Sequence, residues 1–307
     1  MYFLTSDEKR YLSKSLFPRA REMVIAEELR GWSWNEAPLA PVFDVRLGVY
    51  EVAGRYCPTA RDVYLRRVLG VRVPPSPAML EGRILHQTLS EIFLKAKRRI
   101  YADGLDDPAG LIDRLKQDLV LGPYPWGDDA PGDPLIRERI ERRRAALAAF
   151  EAPRILARIY EVLALQPYVG PDGLVAAALP IVVEQKFDGS ALGLSAHLSC
   201  DGLSHAEPIV LDVKFDEWRD FHRLYPTGYA LAMEATFEYP VNVGCVVYGR
   251  WQGERLLIER DLFLIDEALR QRFIEERDEK ARLVFEEIDP GVPPSSPPDC
   301  PYYDICH

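Results

Sequence analysis

The run Ile-Val-Leu-Asp-Val-Lys at 209–214 concentrates chemistry in few residues. Side chains alternate along an extended strand, so Ile209, Leu211 and Val213 face one way, and Val210, Asp212 and Lys214 the other. An acid and an amine on an apolar strand are costly to bury unless they pair or serve a metal. Alone, Asp-x-Lys reads as a salt bridge at a strand end. Asp201 changes that reading. It closes the preceding strand-like run, just before Gly202, and a tight turn brings it alongside Asp212. Two carboxylates on neighbouring strands can bind one hard divalent cation. Lys214 can then hold or orient an attacking water. Hydrolysis of a phosphodiester needs that set: an activated water, charge neutralisation and positioning.

His86 supplies a third piece. Gly82, His86, Leu89 and Phe93 fall on one stripe of a helix, so the imidazole faces apolar residues. By itself it reads as a hydrogen-bonded core histidine. With Asp201 and Asp212 available, a metal ligand is the better reading.

These side chains need a rigid frame. Residues 1–30 read as helical. Residues 31–56 are mixed, with a strand-like run VFDVRLGVYEVA. A helix follows Pro58. Longer helices are expected over 78–101 and 135–165 from apolar residues at helical spacing. Between them, 103–134 is rich in Gly, Pro and Asp and reads as loop. Then 179–188 and 192–203 read as a hairpin joined through Asp188-Gly189. A third strand is expected over 207–215, a helix over 221–238, strands over 241–249 and 255–265, and a helix over 266–288. The proline-rich tail cannot be helical for long. This order predicts an α/β fold, a mixed sheet flanked by helices with a large N-terminal helical region.

The chain has 307 residues, 48% hydrophobic and 28% charged, an ordinary globular balance. The charged start MYFLTSDEKR does not suit a signal peptide, and no apolar run reaches membrane-span length. The expectation is a soluble, cytoplasmic protein. A net charge of −10 argues against a protein that coats nucleic acid through its overall field. It leaves room for a local basic groove. RERIERRR at 137–144, with Arg142 and Arg143, and KAKRRI at 95–100 are the densest positive runs. Each reads either as a solvated helix face with ion pairs or as a phosphate-tracking wall. The five cysteines, Cys57, Cys200, Cys245, Cys300 and Cys306, are too unevenly spaced for a disulfide framework. Cys200 and Cys245 read as small core residues.

Gly82-x-x-x-His86, then Cys-Asp201-Gly, then IVLDVK, then a helix ending GYALAMEATF resemble the ordered motifs of RecB-like nucleases of the PD-(D/E)xK, restriction-endonuclease-like class. The chain is most similar to the CRISPR-associated RecB-like exonuclease family in its archaeal type I-A subgroup. DGSALGLSAHLSCDGL and FHRLYPTGYALAME are the segments most particular to it, and the resemblance covers nearly the whole chain. It implies a division into a helical region 1–170 carrying Cys57 and His86, a nuclease core 171–288, and a cysteine-bearing tail 289–307 packing back on the N-terminal region. It implies that His86, Asp201, Asp212 and the Val213 carbonyl bind Mg²⁺ or Mn²⁺, with Lys214 catalytic. Tyr229 matches the tyrosine of the family's Gln-x-x-x-Tyr motif, while Tyr225 stands at the glutamine position. The two tyrosines share a helix face that could stack on a base or pack in the core.

The resemblance also implies an iron–sulfur cluster, of the 4Fe–4S type, on four cysteines. Here only Cys57, Cys300 and Cys306 match, and Ser295-Ser296 occupy the place of another. Three readings stay open: a cluster with serine or His307 as replacement ligand, a zinc on the same thiolates plus His307, or a disulfide from Cys57 to the tail. The activity implied is single-strand DNA exonuclease action during CRISPR spacer acquisition, beside CRISPR integrase proteins, with homo-oligomeric rings in some relatives. The alternative is a structural or DNA-gripping subunit of the adaptation complex.

Overall fold

The computed structural model describes residues 1–127, 130–204, 208–296 and 300–307. The expected start of the third strand at Glu207 lies outside these residues. The N-terminal part is helical: α1 (Ser6–Tyr11), α2 (Phe17–Glu22), α3 (Val49–Ala53), α4 (Arg61–Arg67), α5 (Pro77–Asp103), α6 (Pro108–Asp118), α7 (Pro134–Leu165) and α8 (Pro171–Ala178). Strands β1 (Ile181–Phe187), β2 (Leu198–Ser204) and β3 (Ile209–Lys214) follow, then α9 (Leu224–Phe237), β4 (Val243–Gln252), β5 (Arg255–Leu264), α10 (Glu267–Phe285) and α11 (Tyr303–Cys306).

The sheet runs β1-β2-β3-β4-β5. All pairs are antiparallel except β3–β4, which is parallel. A parallel pair needs a crossover, and α9 supplies it. β3 is therefore central. Its Ile209, Leu211 and Val213 join a core with α5, α7 and the N-terminal segment. Val210 joins the opposite core with α9 and α10. The long helices have strong starts. Ser76 caps α5 by accepting from the Met79 N–H at 3.3 Å, and Asp133 caps α7 by accepting from Leu135 at 2.8 Å. Each is followed by proline at the first helical position, where its missing N–H costs nothing.

Three local expectations give way. The run at 42–53 is not a strand: Leu47 makes one isolated bridge to Leu194, and α3 begins two residues later. The Gly48 N–H donates to Glu51 Oε2 at 2.7 Å, which starts a helical turn instead. The stretch 103–134 is not all loop, because α6 buries Leu111, Ile112 and Leu115. β1 and β2 are not joined by a two-residue turn. Asp188 begins a wider connection through a 3₁₀ turn at Ser190–Leu192, and Gly193 takes a left-handed φ of 67° that a side chain would strain.

Candidate active site

Residues from three elements meet where β2 and β3 part. Their ladder ends at Gly202↔Leu211. Beyond it, the Val213 N–H donates to Asp201 Oδ2 at 2.7 Å, so a carboxylate takes the place of a backbone partner. Asp201 Oδ1 lies 3.2 Å from Nδ1 of His86, which stands within α5 between buried Leu85 and Leu89. The Tyr2 hydroxyl donates to the Asp201 carbonyl at 2.6 Å and pins that strand from behind. Across the gap, Lys214 Nζ lies 2.9 Å from Asp212 Oδ2. That contact is ionic but off hydrogen-bonding geometry, and among the described residues no hydrogen bond reaches Asp212 Oδ2, which is buried. The structure thus gathers His86, Asp201, Asp212 and Lys214. Cys200, adjacent to Asp201, is buried on the α9 side.

The electrostatics follow from burial. Asp212 is pushed up to about 6, first by burial and then by Asp201, against the pull of Lys214. Burial alone would raise Asp201 too, but His86 and Lys214 hold it below the usual carboxylate range. Burial would lower His86 and Lys214, yet the Asp201 and Asp212 carboxylates keep both above their ordinary values. Two carboxylates, one of them with an oxygen held only by an ion pair, and an imidazole are the donor types that suit a hard divalent cation. Among the described residues, no three His, Cys, Asp or Glu side chains form a ready-made metal cage.

The tyrosines separate. Tyr225 is 7% exposed, and its ring face lies 3.5 Å from Lys214 Nζ. Tyr229, one turn later, is half-buried against the same core, its hydroxyl pushed up by burial and then by Asp212. Neither presents an open ring face comparable to exposed Trp218, four residues beyond Lys214. Arg142 and Arg143 are already engaged. Arg143 pairs with Glu81 of α5 and stacks over Trp251, while Arg142 pairs with Glu254 at 3.3 Å. They tie α7 to α5 and to the β4–β5 turn.

The five cysteines are free thiols. Cys57, Cys300 and Cys306 share one quarter: burial raises the Cys300 thiol, and the Cys57 and Cys306 thiols add to the rise. Arg61 donates to Cys306 Sγ at 3.6 Å and pairs with Asp289 at 2.9 Å, while Thr59 donates to the Gly291 carbonyl. These contacts hold the tail against the start of α4. The set does not fit a cluster on four cysteines, because Cys200 and Cys245 lie buried in the sheet.

The sequence reading missed a second ring of residues. The Tyr56 hydroxyl meets His222 Nε2 at 3.0 Å and Asp216 at 3.2 Å, and His222 Nδ1 meets the Tyr248 hydroxyl at 3.2 Å. Burial and Lys214 push the His222 imidazole down to about 4. Phe215 packs edge-on to His86 at 5.4 Å. Their only local signal was adjacency: Tyr56 precedes Cys57, and Phe215 follows Lys214.

Comparison with known proteins is consistent along the whole chain. The family described as CRISPR-associated exonuclease Csa1 matches over residues 1–307. A protein so named from Thermoproteus tenax is 30% identical over 282 residues, covering 92% of this chain and 91% of its own. Another from Saccharolobus solfataricus is 28% identical over 307 residues, covering 99% of each. Among the described residues, no helix is long and apolar enough to cross a membrane.

Proposed function

The chain belongs to the family of CRISPR-associated exonuclease Csa1, and from that premise we propose a metal-dependent deoxyribonuclease of the PD-(D/E)xK class acting on single-stranded DNA. The observation that carries this reading is Asp212: a buried carboxylate with one oxygen free of hydrogen bonds, facing Lys214 and beside Asp201. A buried acceptor left open is costly. A bound cation would complete it.

Asp201, Asp212, His86 and the Val213 carbonyl would hold Mg²⁺ or Mn²⁺, which neutralises phosphate charge and acidifies water. Asp201 keeps the β2–β3 gap open by bonding the Val213 N–H. Lys214, held protonated by the two carboxylates, orients the attacking water and opposes the phosphate charge. Cys57, Cys300 and Cys306 would supply three ligands of an iron–sulfur or zinc centre, with a fourth from oxygen or imidazole. Trimming of DNA for spacer acquisition, beside CRISPR integrase proteins, extends the reading and rests on the resemblance.

The test is cleavage of end-labelled single-stranded DNA in Mn²⁺ by the native protein and by Lys214→Ala. Loss in the folded variant supports the reading, and the end that shortens first gives the polarity. A well-folded native protein that leaves DNA intact would move the reading to a DNA-gripping subunit.

A further inference from the structure

We propose that Tyr225 is a positioning residue for Lys214, its ring face carrying the lysine ammonium by a cation–π contact. This rests on the nuclease reading of the site. The ammonium lies between two partners: Asp212 Oδ2 at 2.9 Å and the Tyr225 ring at 3.5 Å. They differ in one respect. Asp212 is also a candidate metal ligand, so a cation bound there competes with Lys214 for the carboxylate. An aromatic face attracts an ammonium through its quadrupole and cannot ligate a hard cation. With the cation bound, the ring keeps Lys214 aimed at the site.

The ring cannot easily swing away. Tyr225 sits in the first turn of α9, and the His222 ring meets it edge-on at 6.2 Å. Its hydroxyl points toward Gly54, where a Cβ would come within 3.3 Å of it. Gly54 is itself fixed, because Lys280 Nζ donates to the Val52 and Gly54 carbonyls at 2.6 and 2.9 Å. This placement removes Tyr225 from DNA stacking: it is 7% exposed, and the lysine already occupies the ring face. At the position where the resembled family carries glutamine, this chain therefore offers its lysine a π face.

The test compares Tyr225→Phe with Tyr225→Leu. Phenylalanine keeps the face and loses the hydroxyl, whereas leucine keeps the apolar bulk and loses the face. Cleavage by Tyr225→Phe is expected within about twofold of native, whereas Tyr225→Leu loses roughly 30-fold in kcat at unchanged KM for DNA. Phenylalanines carrying successively more fluorines at 225 should lower log kcat in steps. Equal activity of the two variants, an equal loss in both, or a loss confined to KM would overturn the proposal. Amine-reactive labelling of Lys214, read by mass spectrometry on folded protein, needs no activity. Faster labelling in Tyr225→Leu than in Tyr225→Phe is expected, and equal rates overturn the proposal. Cleavage persisting in Lys214→Ala sinks the placement of the active site at Lys214 instead, and the labelling result still decides the contact.

Discussion

Helix α9 has a buried charge cluster at each end, and the two are built on opposite rules. At its C-terminal end, Glu234 is fully buried and saturated. It accepts from Arg30, from both terminal nitrogens of Arg270, and from the Gly31 and Val241 N–H groups, all within 2.7–2.9 Å. Arg270 also reaches the carbonyls of Leu29, Val241 and Ile265. At the N-terminal end, among the described residues, Asp212 Oδ2 has only the Lys214 ion pair at 2.9 Å and no hydrogen bond. Saturation gives a knot that holds the sheet, α10 and the N-terminal segment together. Incompleteness gives a site with capacity for something else. Burial of charge alone does not separate the two ends; the number of hydrogen bonds each carboxylate accepts does.

The largest way to break this contrast is Glu234→Ala. It strands Arg30 and Arg270 without a counter-charge, and a loss of roughly 5 kcal/mol is expected by denaturant titration, at the high end for a broken buried pair. A variant of native stability would mean that the knot is ornamental. Next is Asp212→Asn. Cleavage should fall on the order of 1,000-fold while the protein stays folded. Unfolding of this variant would place Asp212 with the structural charges.

The third prediction concerns pH. The folded pKa of Asp212 is raised to about 6. Its stabilising share is therefore complete below its unfolded value of about 3.9 and is lost as pH rises through 6. A divalent cation removes that cost only where Asp212 is ionised. Saturating Mn²⁺ should thus raise Tm clearly at about pH 8, by the equivalent of roughly 2.7 kcal/mol at a hundredfold excess over Kd, and little at about pH 5. Calorimetry showing equal shifts at both values would detach Asp212 from the cation. The smallest effect is expected for Arg142→Ala. Its pair with Glu254 is solvent-exposed, and stability should change by less than about 0.5 kcal/mol. A severalfold loss of salt-sensitive DNA binding would give α7 the phosphate-tracking role as well.

The legible parts of this molecule were those written in a regular period. Alternation through 209–214 put Asp212 and Lys214 on one face, and that face is the one that meets Tyr225. The helices α5 and α7 announced themselves by spacing and by Ser76-Pro77 and Asp133-Pro134. α6 carried the same signature, Asp107-Pro108 before Leu111, Ile112 and Leu115, but dense Gly, Pro and Asp on both sides masked it. The run at 42–53 alternated like a strand but found no continuous partner. The partners of the site were beyond local reading. Tyr2 meets Asp201 across 199 positions and Tyr56 meets His222 across 166, distances at which nothing in a window of sequence points to the contact. Tyr225 stayed open for a related reason: two tyrosines one turn apart fit stacking and packing equally, and the Lys214 ammonium over the ring is a neighbour that no window of sequence shows.

The knot around Glu234 also sets a schedule. Leu29 and Arg270, which it joins, stand 241 residues apart. A ribosome adding about 5–20 residues per second needs roughly 12–48 s to cover that stretch. Throughout that time the turn at Gly31–Ser33 has been made, and the cation that completes its anchorage has not. The stretch near the front of the chain is thus secured by one of the later helices to emerge, so native closure runs against the direction of synthesis.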